Sequence, residues 1–125
     1  MPSSLYQPLH FDWPQGVDQG NNTINYRFWL PYAWRLDALQ AYIQTVNTQG
    51  TCSLTATESS GGSTVLTGAS FDLNTLVAST VTSLGLASGS VLDFNANEIL
   101  TLSVASNNAL YNGSGLFWLL GAVGR

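Results

Sequence analysis

The chain has no lysine, and its only cations are Arg27, Arg35 and Arg125. Charged residues make up 8% of the sequence, against roughly 25% in an ordinary soluble domain. Nucleic-acid binding draws its affinity from Lys and Arg at phosphates. A net charge of −4 with no basic run therefore argues against a nucleic-acid partner. Cysteine is equally scarce. Cys52 stands alone, so neither an internal disulfide nor a thiolate zinc cluster forms within one chain. Beside Leu54 and Ala56 it reads as a small core hydrophobe. No apolar run reaches the ~18 residues that span a bilayer, and Leu116–Val123 is far too short, so no membrane partner is expected. The first sixteen residues lack a basic head and an apolar stretch and do not read as a signal peptide.

The residues of catalysis are thinly spread. His10 is the single histidine, and a Ser-His-Asp or Cys-His arrangement would have to use it. It lies in a proline-bearing segment and reads as a surface or interface imidazole. The carboxylates Asp12, Asp18, Asp37, Glu58, Asp72, Asp93 and Glu98 fall one per segment, mostly near turns, where acids cap and solvate. A glycosidase needs two across a cleft; Asp93 and Glu98, flanking one hairpin, are the pair best placed to approach each other. No Asp-rich loop offers the crowded oxygens of a calcium site. Gly61-Gly62 and Gly113-Ser114-Gly115 lack the helix start and lysine of a phosphate loop and read as turns. The expectation is a non-enzyme with no catalytic residues, no metal and no cofactor.

What is present is a one-domain length with a 45% hydrophobic share, wetted by Ser, Thr, Asn and Gln. An uncharged polar surface suits a chain that packs against copies of itself or another protein, although a weakly charged monomer fits it too. Residues 1–23 stand apart as an extended N-terminal arm. Pro2, Pro8 and Pro14 favour extended backbone, yet Tyr6, Leu9, Phe11 and Trp13 are too apolar for a disordered tail. Such an arm lies on something, either its own domain or a neighbouring subunit.

From Ile24 onward, residues 24–125 read as strands. Ile24–Tyr32 is aromatic and β-branched, ending at Pro31. Period two appears in Leu36–Val46, through Leu39, Ala41 and Ile43, and again in Thr51–Thr57 and Glu98–Ala105. Gly61-Gly62 signals a hairpin into Ser63–Thr67. Short strands are also expected at Ala69–Leu73 and Val91–Phe94. Residues 74–88 are ambiguous. Leu73, Leu76, Val77, Val81 and Leu84 keep helical spacing, with Asp72 or Asn74 as a cap, but the many β-branched residues tilt the reading toward loop or strand. In the last strand Leu116, Trp118, Leu120 and Ala122 lie on one face, and Phe117, Leu119 and Val123 on the other. A strand apolar on both faces is buried on both faces. This series of short strands points to an all-β, antiparallel β-sandwich, jelly-roll-like, with an extended N-terminal arm.

The aromatic residues crowd the first third of the chain, and such clusters anchor protein interfaces. Interface candidates are Tyr6, Phe11, Trp13, Trp29, Tyr32, Trp34, Phe117 and Leu119. The order of strands from Phe28 to Val123 resembles the small jelly-roll-like modules on the virions of tailed bacteriophages, most of all capsid decoration (cement) proteins. The resemblance implies a homo-oligomer, a trimer by preference, on the outer capsid surface of a virion. There it would bind the major capsid protein and brace the shell, with the arm as the grip. The alternative is a head or tail fibre module that binds carbohydrate on a host surface through its Trp and Tyr rings.

Overall fold

The computed structural model describes residues 3–5, 11–13, 23–59, 61–108, 110 and 112–123, the first two segments as backbone alone. Among the described residues ten strands are present: β1 (Ser3–Leu5), β2 (Phe11–Trp13), β3 (Thr23–Trp29), β4 (Trp34–Thr45), β5 (Cys52–Glu58), β6 (Phe71–Asp72), β7 (Thr80–Ser83), β8 (Asp93–Phe94), β9 (Ile99–Ser106) and β10 (Ser114–Val123). All their pairings are antiparallel.

The strands form two sheets packed face to face, an antiparallel β-sandwich. Sheet A runs β1 and β2, then β10, then β4, then β7 and β8; sheet B runs β3-β9-β5-β6. β1 and β2 lie along the same edge of β10, Leu5 opposite Gly121 and Phe11 opposite Phe117. Taken as one edge, they set the N-terminal strands beside the C-terminal strand in sheet A, an arrangement that is jelly-roll-like. The described parts of the N-terminal arm thus lie on their own domain. They pair with β10 through backbone hydrogen bonds.

Alternation explains which side chains fill the space between the sheets. Cys52, Leu54 and Ala56 of β5 and Leu100, Leu102 and Val104 of β9 are buried, as their period-two spacing requires. β4 keeps the same rule but changes phase midway. Trp34 and Leu36 are buried, then Leu39, Ala41 and Ile43. The switch is a β-bulge: Gly121 pairs with Leu36 and Leu120 with Ala38, which leaves Asp37 as an extra residue on β4. Trp34 is 1% exposed, stacks on Phe94 at 4.3 Å and meets Phe28 edge-on at 5.0 Å. Gly121 lets β10 pass this close, because a Cβ there would sit 2.9 Å from the Arg35 carbonyl oxygen and 3.1 Å from the Trp34 ring.

The ambiguous stretch after Asp72 forms no α-helix. Asp72 accepts from the Asn74 backbone N–H, but the turn it caps is a 3-10 turn confined to Leu73–Thr75. The β-branched run then becomes β7, which pairs with residues 40–43 of β4. Val91 belongs to a second 3-10 turn, Gly89–Leu92, so the strand expected there shrinks to Asp93–Phe94. Similarly, Ala69–Leu73 shrinks to Phe71–Asp72. Ser63–Thr67 contributes isolated bridges at Thr64 and Leu66 instead of a full strand.

Amides hold the loops at one end of the sandwich. Asn47 Oδ1 accepts from the N–H groups of Gln49 and Asn112. Asn112 Oδ1 accepts from Thr48 N–H, and Asn107 Oδ1 from Thr51 N–H.

Candidate functional site

Three of the sequence-derived interface candidates turn inward. Trp34, Phe117 and Leu119 are 1%, 0% and 3% exposed and belong to the core. The correction has a definite cause. Both faces of β10 are apolar, and the register with β4 alone decides which is inner. Phe117 pairs with Ala41 and Leu119 with Leu39, both core residues, so the opposite face of β10 looks outward. Trp29 and Tyr32 are exposed, at 52% and 45%, at the end of β3 and just beyond it. Phe11 and Trp13 are described through backbone pairing only, opposite Phe117 and Gly115. Tyr6 and His10 lie outside the described residues.

The outward face of sheet A carries the feature that the candidate list missed. Leu116 lies opposite Tyr42, which lies opposite Val81; one row along, Trp118 lies opposite Gln40, which lies opposite Ser83. Gln40, Tyr42, Val81, Leu116 and Trp118 line one groove of about 370 Å³. Gln40 Nε2 donates to Ser83 Oγ at 3.1 Å, which fixes the amide at the groove wall. Val81 is 59% exposed and Trp118 40%. None of the five side chains is charged. In sequence, Val81 lies in the ambiguous stretch that reads as loop or strand ahead of helix, and Tyr42 falls on the polar side of its alternation.

A second concavity, about 460 Å³, is lined by Glu58, Gly61, Ser63, Ser90, Val91, Asp93, Asn95 and Glu98. It brings Asp93 and Glu98 to one rim and adds Glu58. Each acid serves a local structural task. Glu58 Oε1 accepts from the N–H groups of Gly61 and Ser63 and so closes the glycine turn. Asp93 pairs with Arg35 at 2.7 Å. Glu98 Oε2 accepts from Asn95 N–H at 2.6 Å. Among the described residues there is no group of three His, Cys, Asp or Glu side chains arranged to hold a metal ion.

The outer face of sheet B differs in kind from that of sheet A. Its cross-strand rows read Asn25–Ser103–Thr55 and Arg27–Thr101–Thr57. Ser103 Oγ hydrogen-bonds Asn25 Oδ1 within the first row. Comparison with protein-family models, with curated proteins and with solved structures yields no match to this chain.

Proposed function

We propose that this chain is a non-enzymatic contact module of a virion, a decoration protein of the outer capsid surface. It works as a homo-oligomer, by preference a trimer, that binds the major capsid protein and braces the shell. The observation that carries this reading is the uncharged, apolar groove on the outer face of sheet A. Large exposed apolar side chains grouped on one face are the usual mark of a protein-binding surface. The jelly-roll order of the strands is compatible with it, although fold alone does not confer function. An oligomer engaging several shell subunits adds modest contacts into tight attachment.

The test is co-sedimentation of the purified chain with assembled shells. The reading expects the chain in the pellet at a fixed ratio to shell subunits, together with a rise in shell melting temperature. Recovery wholly in the supernatant across a range of salt would overturn it. Deletion of residues 1–20 is a poor probe, because it also removes β1 and β2 from the edge of sheet A.

One observation favours carbohydrate as a second reading: the Tyr42 and Trp118 rings line the same groove as the Gln40 amide. Glycan-array binding lost in Trp118→Ala with unchanged stability would support it. Trp34 is unsuitable for that test, being a core residue.

A further inference from the structure

We propose that Asn112 is a site of spontaneous modification, where the side-chain amide closes on the Gly113 nitrogen, and that Thr48 holds this reaction back in the folded chain.

The chemistry lies in the sequence. Of the asparagines in the chain, Asn112 alone precedes a glycine. A glycine nitrogen is the least hindered backbone nucleophile, because no Cβ stands beside it. The Gly113 nitrogen gives up its proton and forms a bond to Asn112 Cγ. The bond from Cγ to Nδ2 breaks, and Nδ2 leaves as ammonia with that proton. The product is a five-membered succinimide. Water then opens the ring at one carbonyl or the other. One opening yields aspartate. The other yields isoaspartate, whose backbone runs through the former side chain and is one methylene longer. Water is the only co-reactant.

The fold sets the rate. Ring closure requires the Asn112 amide to swing back toward its own backbone, and both of its ends are held by Thr48. Asn112 Oδ1 accepts from Thr48 N–H at 2.9 Å, and Nδ2 donates to Thr48 Oγ1 at 3.1 Å. The loop that carries Thr48 is itself fixed. Asn47 is 6% exposed, and its Nδ2 donates to the carbonyls of Gln49 and Gly50. Its Oδ1 accepts from Asn112 N–H at 3.2 Å. Gly113 is buried, which keeps the attacking nitrogen out of bulk water. Both contacts to Thr48 must break before the ring can close.

The consequence falls at the entry to β10, whose first residue, Ser114, follows Gly113. An isoaspartate there lengthens the backbone and puts a negative charge where a neutral amide bridged two loops. The tie between the β4–β5 and β9–β10 connections is then lost, irreversibly, at one end of the sandwich.

The test is peptide mapping by mass spectrometry after incubation of the full chain in mildly alkaline buffer, folded and in urea. In urea Asn112 should convert ahead of Asn95 and Asn108, which precede alanine. Folding should slow its conversion about tenfold or more, the worth of two hydrogen bonds. Thr48→Val keeps the N–H and loses Oγ1; it should speed conversion of the folded chain about fivefold, with Asn95 and Asn108 unchanged. Thr48→Ser, which keeps a hydroxyl, should restore the wild-type rate. Circular dichroism confirms the fold of each variant. An Asn112 that stays intact in urea would overturn the site. A wild type that converts as fast folded as in urea would overturn the protection, as would a folded Thr48→Val that converts at the wild-type rate.

Discussion

The two outer faces of the sandwich are built on the same alternating backbone and end up with different chemistry over most of their area. Sheet A presents Leu116, Trp118, Tyr42 and Val81; sheet B presents Ser53, Thr55, Thr57, Thr101 and Ser103. Strands of sheet B follow the ordinary rule for an antiparallel sheet with one wet face, with Asn25, Arg27 and a set of hydroxyls outward, and break it at the Trp29–Ile99 row at one end. β10 breaks that rule, with large apolar side chains on both sides. Hydroxyls on sheet B satisfy water without charge, whereas the apolar groove of sheet A gains free energy by losing it. Under the proposed function, contact falls to the first face and solvent to the second.

Neighbouring residues of β10 give the sharpest contrast. Phe117→Ala removes a fully buried ring and should cost about 3–5 kcal/mol, read as a lowered urea midpoint. Trp118→Ala, one residue on and facing outward, should cost only about 1 kcal/mol of subunit stability, the scale of a cross-strand aromatic contact, while weakening assembly. Equal losses of stability at both positions would erase the distinction between the faces. Gly121→Ala comes next. Its methyl group would press on the Arg35 carbonyl and the Trp34 ring, and thermal unfolding should report a loss of about 1–3 kcal/mol. The Arg35–Asp93 pair, with side chains 37% and 27% exposed, is screened by solvent. Asp93→Asn should therefore cost at most about 1 kcal/mol, and less in high salt. Smallest of all is Thr55→Val on sheet B, expected within about 0.5 kcal/mol of wild type. A marked rise in self-association of this variant, seen by sedimentation, would show that hydroxyl chemistry on sheet B is what keeps that face wet.

Much of the fold is legible in the residues themselves. Period-two runs at Cys52–Ala56 and Leu100–Val104 locate β5 and β9, because a strand buried on one face must alternate. Gly62, with a φ of +68°, turns the chain after β5, and the acids near turns do cap, as Asp72 and Glu58 illustrate. Three things escaped local pattern, each for a long-range reason. The Asp37 bulge depends on how β10 pairs with β4, and no residue near Asp37 announces it. The inner face of β10 depends on the same register, so Phe117 and Leu119 looked as available as Leu116 and Trp118. Val81 is exposed because β7 pairs with residues 40–43, a contact across some forty positions of sequence. The candidate site was therefore only half readable. The presence of a two-sided apolar strand was plain, but the side offered to a partner was not.

Hydroxyl-radical footprinting of the free chain and of the chain on assembled shells tests the contrast between the faces most directly. The account predicts that Leu116, Trp118 and Val81 become protected together on the shell, while Trp29 and the hydroxyl rows of sheet B react at an unchanged rate. Protection that grows on sheet B, with Trp118 and Val81 still reactive on the shell, would contradict it.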